Sequence, residues 1–334
     1  MKKSSKVLSG LILAVFLSVL LAGCGSETKS VSGESQGNSQ PVEVNIALNG
    51  GLSPIQIGRE KGIFEEEFAK VNATINWSKF TSGPPLLESL ASKRVDLSTL
   101  GDGATLSGLD RGLPFEVIAQ TQLGETLNGI LVHPDSDIKK VEDLKGKKVT
   151  VAYGTTVHVY LIKALKAHGL TSEDVELINL QPDDSQAAFN SNKVDAWVAF
   201  DPFQTTTIEK GNAIKLDVDE KILAPASLIV RTDFGKEHPE IVEAYLRAYK
   251  KSLEWQNEHL DEAAEIYEAE TKLPANILKK IITAEENGVF ISEEANKAQQ
   301  ESIQVLSDVG YIKNIYQYKD HVNDAYLNEA LKNE

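Results

Sequence analysis

The sequence predicts an α/β protein of two lobes, each a mostly parallel sheet with flanking helices, and a cleft between them. Three observations carry this. Short apolar strands alternate with helical segments from residue 42 onward. Glycine- and hydroxyl-rich loops stand where strands end and helices begin. Two continuous apolar runs, one around Gly129-Ile130-Leu131-Val132 and one at Ala226-Ser227-Leu228-Ile229-Val230, read as buried extended segments joining two such units. A chain of 334 residues is long enough for about two domains.

Taken in order, 42–48 alternates apolar and polar as a strand does, and Asn49-Gly50-Gly51 breaks it. A helix over 54–61 ends at Gly62, and 73–80 is the next strand. Pro84 and Pro85 sit where proline is tolerated, at a helix start, and Leu86, Leu87, Leu90 and Ala91 form that helix's buried stripe. A strand over 95–100 ends in Gly101-Asp102-Gly103, followed by a helix over 104–111 and a strand over 115–120. The second unit repeats the alternation, with strand 147–152, helix 156–168, strand 175–180, helix 183–191 and strand 194–200. Val157, Leu161, Ala164 and Leu165 share one helix face. Beyond about residue 235 the pattern is almost purely helical, over 237–258, 260–271, 274–286 and 292–308. The first lobe is expected to comprise 42–127 and 228–334, and the second the intervening 128–227.

The N-terminus reads as an address. Residues 1–9 hold three lysines and no acid, 11–21 are apolar except Ser18, and Leu21-Ala22-Gly23-Cys24 follows. That layout is a secretory leader over 1–23, too short for a comfortable membrane span of about 20 apolar residues. Leu-Ala-Gly-Cys is the lipobox of bacterial lipoproteins, in which the cysteine sulfur receives a diacylglycerol and becomes the new N-terminus. Cys24 is thus the expected lipidation site, holding the protein on the outer face of the cell membrane. Residues 24–41 contain almost no aliphatic side chains and read as a flexible tether.

Composition excludes several functions. The net charge is −15 and no basic cluster exceeds a pair, which argues against nucleic acid. A single cysteine precludes an intramolecular disulfide. None of the six histidines stands four residues from another, and no HExxH, GxSxG, GxGxxG or P-loop pattern occurs, so no metal, cofactor or catalytic nucleophile is expected. The paired acids at Asp183-Asp184 and Glu65-Glu66-Glu67 read as helix starts and solvated faces.

What remains is a set of loops between strands and helices: Asn49-Gly50-Gly51-Leu52-Ser53, Thr81-Ser82-Gly83, Gly101-Asp102-Gly103 and Gly154-Thr155-Thr156. Helix N-termini leave N–H groups unpaired and carry partial positive charge, so several converging on a cleft bind an anion without net positive charge. Each loop alone is also an ordinary turn with an N-cap. Asp201, between Phe200 and Phe203, reads either as a turn residue or as a cleft wall, and His158 as ligand contact or structural histidine.

Residues 77–88, Trp77 through Phe80-Thr81-Ser82-Gly83-Pro84-Pro85-Leu86-Leu87 to Glu88, closely resemble the corresponding segment of substrate-binding lipoproteins for ABC importers of aliphatic sulfonates, within the nitrate/sulfonate/taurine group. Gly62-Ile63-Phe64, Val95-Asp96, the Asp143-Leu144-Lys145-Gly146-Lys147 turn and Val194-Asp195-Ala196-Trp197 with Asp201-Pro202-Phe203 fit as well. The likeness runs from about residue 44 to 290; FTSGPPLLE is its most specific piece and DLKGKKV its weakest. The resemblance implies a two-lobed type II periplasmic-binding-protein fold. It implies Gly101, Asp102, Gly154, Thr155 and Thr156 at the anionic head, Thr81, Ser82, Asn49 and Gly50 nearby, and Asp201 at the far wall. Where relatives often carry proline or serine after the Gly-Asp, Gly103-Ala104 stands here.

The expected function is therefore a monomeric, non-enzymatic receptor that captures an alkanesulfonate and delivers it to a membrane ABC permease. The competing readings are the same receptor for taurine, nitrate or a thiamine-pyrimidine precursor, and an enzyme related to thiamine-pyrimidine synthases. The enzyme needs a reactive histidine or lysine set, and the histidine spacing and lipobox speak against it.

Overall fold

The structure is a computed structural model that describes residues 40–332. The leader, Cys24 and nearly all of the tether lie outside the described residues. The first sheet begins with β1 (Val42–Asn49), followed by α1 (Pro54–Glu60) and α2 (Ile63–Ala69), then β2 (Ala73–Phe80), α3 (Gly83–Ala91), β3 (Leu97–Leu100), α4 (Asp102–Asp110) and β4 (Phe115–Gln122). The second sheet holds β5 (Asn128–Val132), β6 (Lys148–Val151), α5 (Thr156–Ala167), β7 (Glu176–Asn179), α6 (Pro182–Asn190), β8 (Ala196–Phe200), α7 (Phe203–Glu209) and β9 (Ile214–Lys215). The chain then returns as β10 (Ala226–Arg231) and continues through α8 (Thr232–Glu237), α9 (Pro239–Glu258), α10 (Leu260–Thr271), α11 (Ala275–Ile282), α12 (Glu293–Asp308) and α13 (Ala325–Ala330).

The first sheet runs β2-β1-β3-β10-β4 and the second β7-β6-β8-β5-β9. In each, four strands are parallel and one, β10 or β5, runs against its neighbours. The two apolar runs are these reversed strands themselves. The crossings between sheets lie just before them, at 123–127 and 216–225. Reversal brings the start of β10 and the start of β5 to the sheet edges where the parallel strands end, pairing Ser227 with Leu100 and Asn128 with Phe200.

Both faces of each sheet are covered, which is why its strands are apolar on both sides. Val44, Ile46 and Leu48 of β1 pack with Phe64, Phe68 and Tyr245, while Ala47 faces Leu86, Leu90 and Ile303. Fully burying one such phenylalanine contributes about 1.5–3 kcal/mol. On the second sheet, Ile130, Val149 and Val198 face α5, and Leu131 and Trp197 face Phe189. A separate cluster of Ile57, Ala263, Tyr267, Leu278 and Ile282 joins α1, α10 and α11.

Helix starts follow their caps. Ser53 and Gln56 make a reciprocal capping box for α1, with Pro54 at its first turn. Several expectations shift. α4 starts at Asp102 rather than 104, α11 stops at Ile282 rather than 286, and the helix expected over 237–258 is interrupted at His238, leaving α8 before it. α2, α7 and α13 are helices not anticipated from the sequence; each spans only six or seven residues, too few for a full apolar stripe.

Candidate ligand-binding cleft

A cavity of about 170 Å³ opens where the ends of the two sheets face each other. Eight of the ten candidate residues line it: Asn49, Gly50, Thr81, Ser82, Gly101, Thr155, Thr156 and Asp201. They converge because parallel strands end at one edge and each hands over to a helix whose first turn points into the gap.

The helix termini determine what this gap attracts. α3 begins after Ser82, α4 after Gly101 and α5 after Thr155, and none of these three has a side-chain cap. Uncapped first turns keep positive dipole ends and the remaining N–H donors for a ligand; in α3 Pro84 and Pro85 leave only the Gly83 N–H among the first three residues, and in α4 the Gly103 N–H is taken by Asp102. α4 and α5 meet closely: a Cβ on Gly101 would collide with the Thr156 hydroxyl, and one on Gly103 with the Thr155 carbonyl. Glycine is required there by contact between the two units.

The hydroxyls divide their work. Thr155 Oγ1 donates to the Ala152 carbonyl at 2.6 Å, and Ser82 Oγ donates to Gln181 Oε1 at 2.9 Å, bridging the two sheets. Asn49 donates one amide hydrogen to the Thr99 carbonyl at 3.1 Å, which leaves its second. Thr156 directs its hydroxyl at the start of α4.

Two candidates are not on the wall. Asp102 is wholly buried behind it: Oδ1 accepts from the Gly103 N–H at 2.7 Å and Oδ2 has no hydrogen-bond partner. Burial pushes its carboxyl up to about 6, against the pull of the half-buried Lys163. Gly154, at φ 73°, turns the chain on the outer side, where a Cβ would strike the Tyr311 hydroxyl. His158 is structural as well, stacked on Tyr153 at 4.6 Å and edge-on to Tyr311 at 4.7 Å; burial pushes it down to about 4, so it is neutral. Phe203 packs with Trp197 and Phe200, and only Phe200 reaches the cavity.

Among the described residues, Asp201 is the one wall residue that carries a formal charge, and no histidine, cysteine, lysine or arginine lines the cavity. Burial raises the Asp201 carboxyl above the usual range, opposed by the Thr205 N–H that donates to it at 2.8 Å. No cluster of three or more metal-ligating side chains occurs among the described residues, and no helix there is long and apolar enough to cross a membrane.

The wall also includes residues the sequence did not flag: Thr121, Tyr249, Gln256, Tyr267, Ile281, Ile282 and Asn287. Most come from the helical region after residue 235, whose amphipathic pattern is indistinguishable from ordinary core packing.

Known proteins are similar to this chain in sequence and fold. Residues 49–263 match the NMT1/THI5-like family. A Bacillus subtilis protein named an aliphatic sulfonates-binding protein is 37% identical over 329 residues, spanning 97% of both chains. The taurine-binding periplasmic protein of Escherichia coli is 30% identical over 215 residues, 63% of this chain and 65% of that one. Among solved structures, the alkanesulfonate-binding protein from Xanthomonas axonopodis pv. citri bound to MOPS has a TM-score of 0.80 at 22% identity, covering 85% of this chain and 99% of that one. This last likeness shows the fold, that of periplasmic binding proteins.

Proposed function

The chain belongs to the NMT1/THI5-like family, and from that premise we propose that it is the extracytoplasmic receptor of an ABC importer, capturing an aliphatic sulfonate in its cleft. The observation that carries this is a cavity with three uncapped helix N-termini and no cationic, histidine or cysteine side chain. Such a wall holds a permanently ionised oxyanion with neutral donors. The group in question is a sulfonate head bound at Gly101, Thr155 and Thr156, with Thr81, Ser82, Asn49 and Gly50 beside it.

Residues 42–127 with 228–334 act as one lobe and 128–227 as the other. A ligand that touches both favours the closed arrangement, and its differential affinity for that arrangement is what closes the cleft. The closed receptor is then read by a membrane permease. The body is a monomer held on the outer face of the cell membrane by acylated Cys24; two acyl chains retain a protein where one does not, at about 0.8 kcal/mol per buried CH₂. A Cys24→Ser precursor is expected to leave the membrane fraction.

One observation favours a second ligand. Asp201 puts a carboxylate on the wall, and a relative 30% identical is named for taurine, whose amine pairs with a carboxylate. A thermal-shift panel on the purified protein separates the readings, because a ligand of the folded state raises the melting temperature. Ethanesulfonate, longer alkanesulfonates, taurine, nitrate, sulfate and a thiamine pyrimidine form the panel. A shift with alkanesulfonates supports the proposal, and a shift with taurine alone selects the aminated ligand. A shift with the pyrimidine alone, or with no sulfonate, overturns it.

A further inference from the structure

Resting on the sulfonate reading, we propose that α11 and the start of α1 build a subsite for the ligand's organic tail, and that Ile281, Ile282 and Leu52 make the receptor select sulfonates by that tail. Two chemistries divide the wall. The strand ends supply hydroxyls, glycines and open helix termini. The region lined by Leu52, Ile281 and Ile282 offers carbon.

The polar atom of the neighbouring Tyr267 ring is already engaged: its hydroxyl donates to Gln256 Oε1 at 2.7 Å, so its ring carbons are what remains for a ligand. Leu52 and Ile282 belong to the separate cluster that joins α1, α10 and α11, not to the packing of either sheet.

Space agrees with chemistry. The wall touches the ends of all five strands of the first sheet, from Thr81 beyond β2 to Thr121 and Gln122 on β4. Four strand spacings of about 4.8 Å make a groove about 19 Å wide. The head-group donor Gly101 follows β3, at its centre. A head group at Gly101 with a two-carbon tail spans only part of that width and leaves much of the apolar end unfilled.

α11 is also held in place over this end. Leu278 is buried in the α1–α10–α11 cluster, and just beyond the helix the Gly288 N–H donates to the Thr121 carbonyl at 2.7 Å. Tail selection is then a property of a preformed wall.

Calorimetric titration of the purified protein with methane-, ethane-, butane-, hexane- and octanesulfonate tests this. Affinity is expected to rise about four-fold per methylene up to roughly hexane, the equivalent of ~0.8 kcal/mol per buried CH₂, with an increasingly negative heat-capacity change. Ile282→Asn is expected to flatten the series below two-fold per methylene while methanesulfonate binding stays within two-fold of the parent. Leu52→Asn, at a half-buried position, gives the same readout if the first variant does not fold. A flat series in the parent, with ethanesulfonate still bound, overturns the subsite and leaves the head-group reading intact. A uniform loss across all chain lengths in both variants likewise overturns it. If no alkanesulfonate binds the parent, the sulfonate reading itself falls and the subsite with it.

Discussion

Adjacent threonines at the start of α5 have different jobs. The Thr155 hydroxyl closes onto the Ala152 carbonyl, so it fixes the turn, while the Thr156 hydroxyl points at the start of α4. A hydrogen bond to a charged group is worth about 1.5–3 kcal/mol. Thr156→Val, which keeps the shape and removes the donor, is therefore expected to weaken sulfonate binding ten-fold or more. Thr155→Val is expected to lower stability by about 1–3 kcal/mol, because it leaves a buried carbonyl unpaired. Calorimetry and thermal melts on the two variants separate the roles. Asp102 adds a pH dependence. Its carboxyl sits at about 6 in the fold against 3.8 unfolded, so the folded state binds the extra proton between those values. The contribution of Asp102 to stability then falls as pH rises from about 4 to 6, by roughly 3 kcal/mol at 1.36 kcal/mol per unit. Asp102→Asn is expected to flatten that part of the curve of melting temperature against pH; an unchanged slope would remove Asp102 as its source.

Helices α4 and α5 come from different sheets, yet their first turns meet with only glycine between them. Gly103→Ala sets two effects against each other. Alanine in a helix is favoured over glycine by about 0.8–1 kcal/mol, which applies whether the units are together or apart. The Cβ would collide with the Thr155 carbonyl only when they meet, and backbone cannot swing aside. The variant is expected to melt no lower than the parent without ligand, yet to bind every sulfonate at least ten-fold more weakly. Equal affinity would mean that this contact is absent from the bound state. At this scale the sequence was informative where chemistry is local. Strand–loop–helix handovers announced themselves through Asn49-Gly50, Thr81-Ser82, Gly101 and Thr155-Thr156, and all reached the cavity. It was uninformative where side-chain direction decides: Asp102 and Gly154 share those loops but turn inward and outward. It was silent on Ile281 and Ile282, because an apolar pair in an amphipathic helix has the same pattern whether it faces a core or a ligand.

Across the whole molecule the question is what holds the two units together. Lys280–Glu209 and Lys166–Asp308 reach across, but each pair is exposed, with side-chain exposures of 57% and 37% and of 59% and 44%. Exposed pairs contribute about 0–1 kcal/mol. Lys280→Ala is thus expected to change sulfonate affinity by about five-fold at most, because the units are joined more firmly by Val159 and Ile162 of α5, buried among Leu106, Ile303 and Leu306, and by the crossings. There the chain is tightly organised. The carboxylate of Glu285 accepts N–H donors from Gly124, Glu125 and Thr126, and Thr126 Oγ1 donates to the Ala284 carbonyl at 3.3 Å. The second crossing is tied to the first by the Ala224 N–H on the Leu123 carbonyl at 2.8 Å and by Lys221 on Glu125 at 3.0 Å. Gly124, at φ 71°, lies so close to the Ala224 carbonyl that a Cβ would collide with it. One carboxylate thus fixes three consecutive amides at the first crossing. Glu285→Ala is expected to loosen the crossing, making the ligand-free protein more expanded in small-angle X-ray scattering and the contraction on adding ligand larger. The ligand would then have to supply the ordering that Glu285 supplies now, so affinity should fall several-fold for all chain lengths alike. A fall that depended on chain length would instead place Glu285 in the tail subsite, and no change in either quantity would mean that the crossing is held without it.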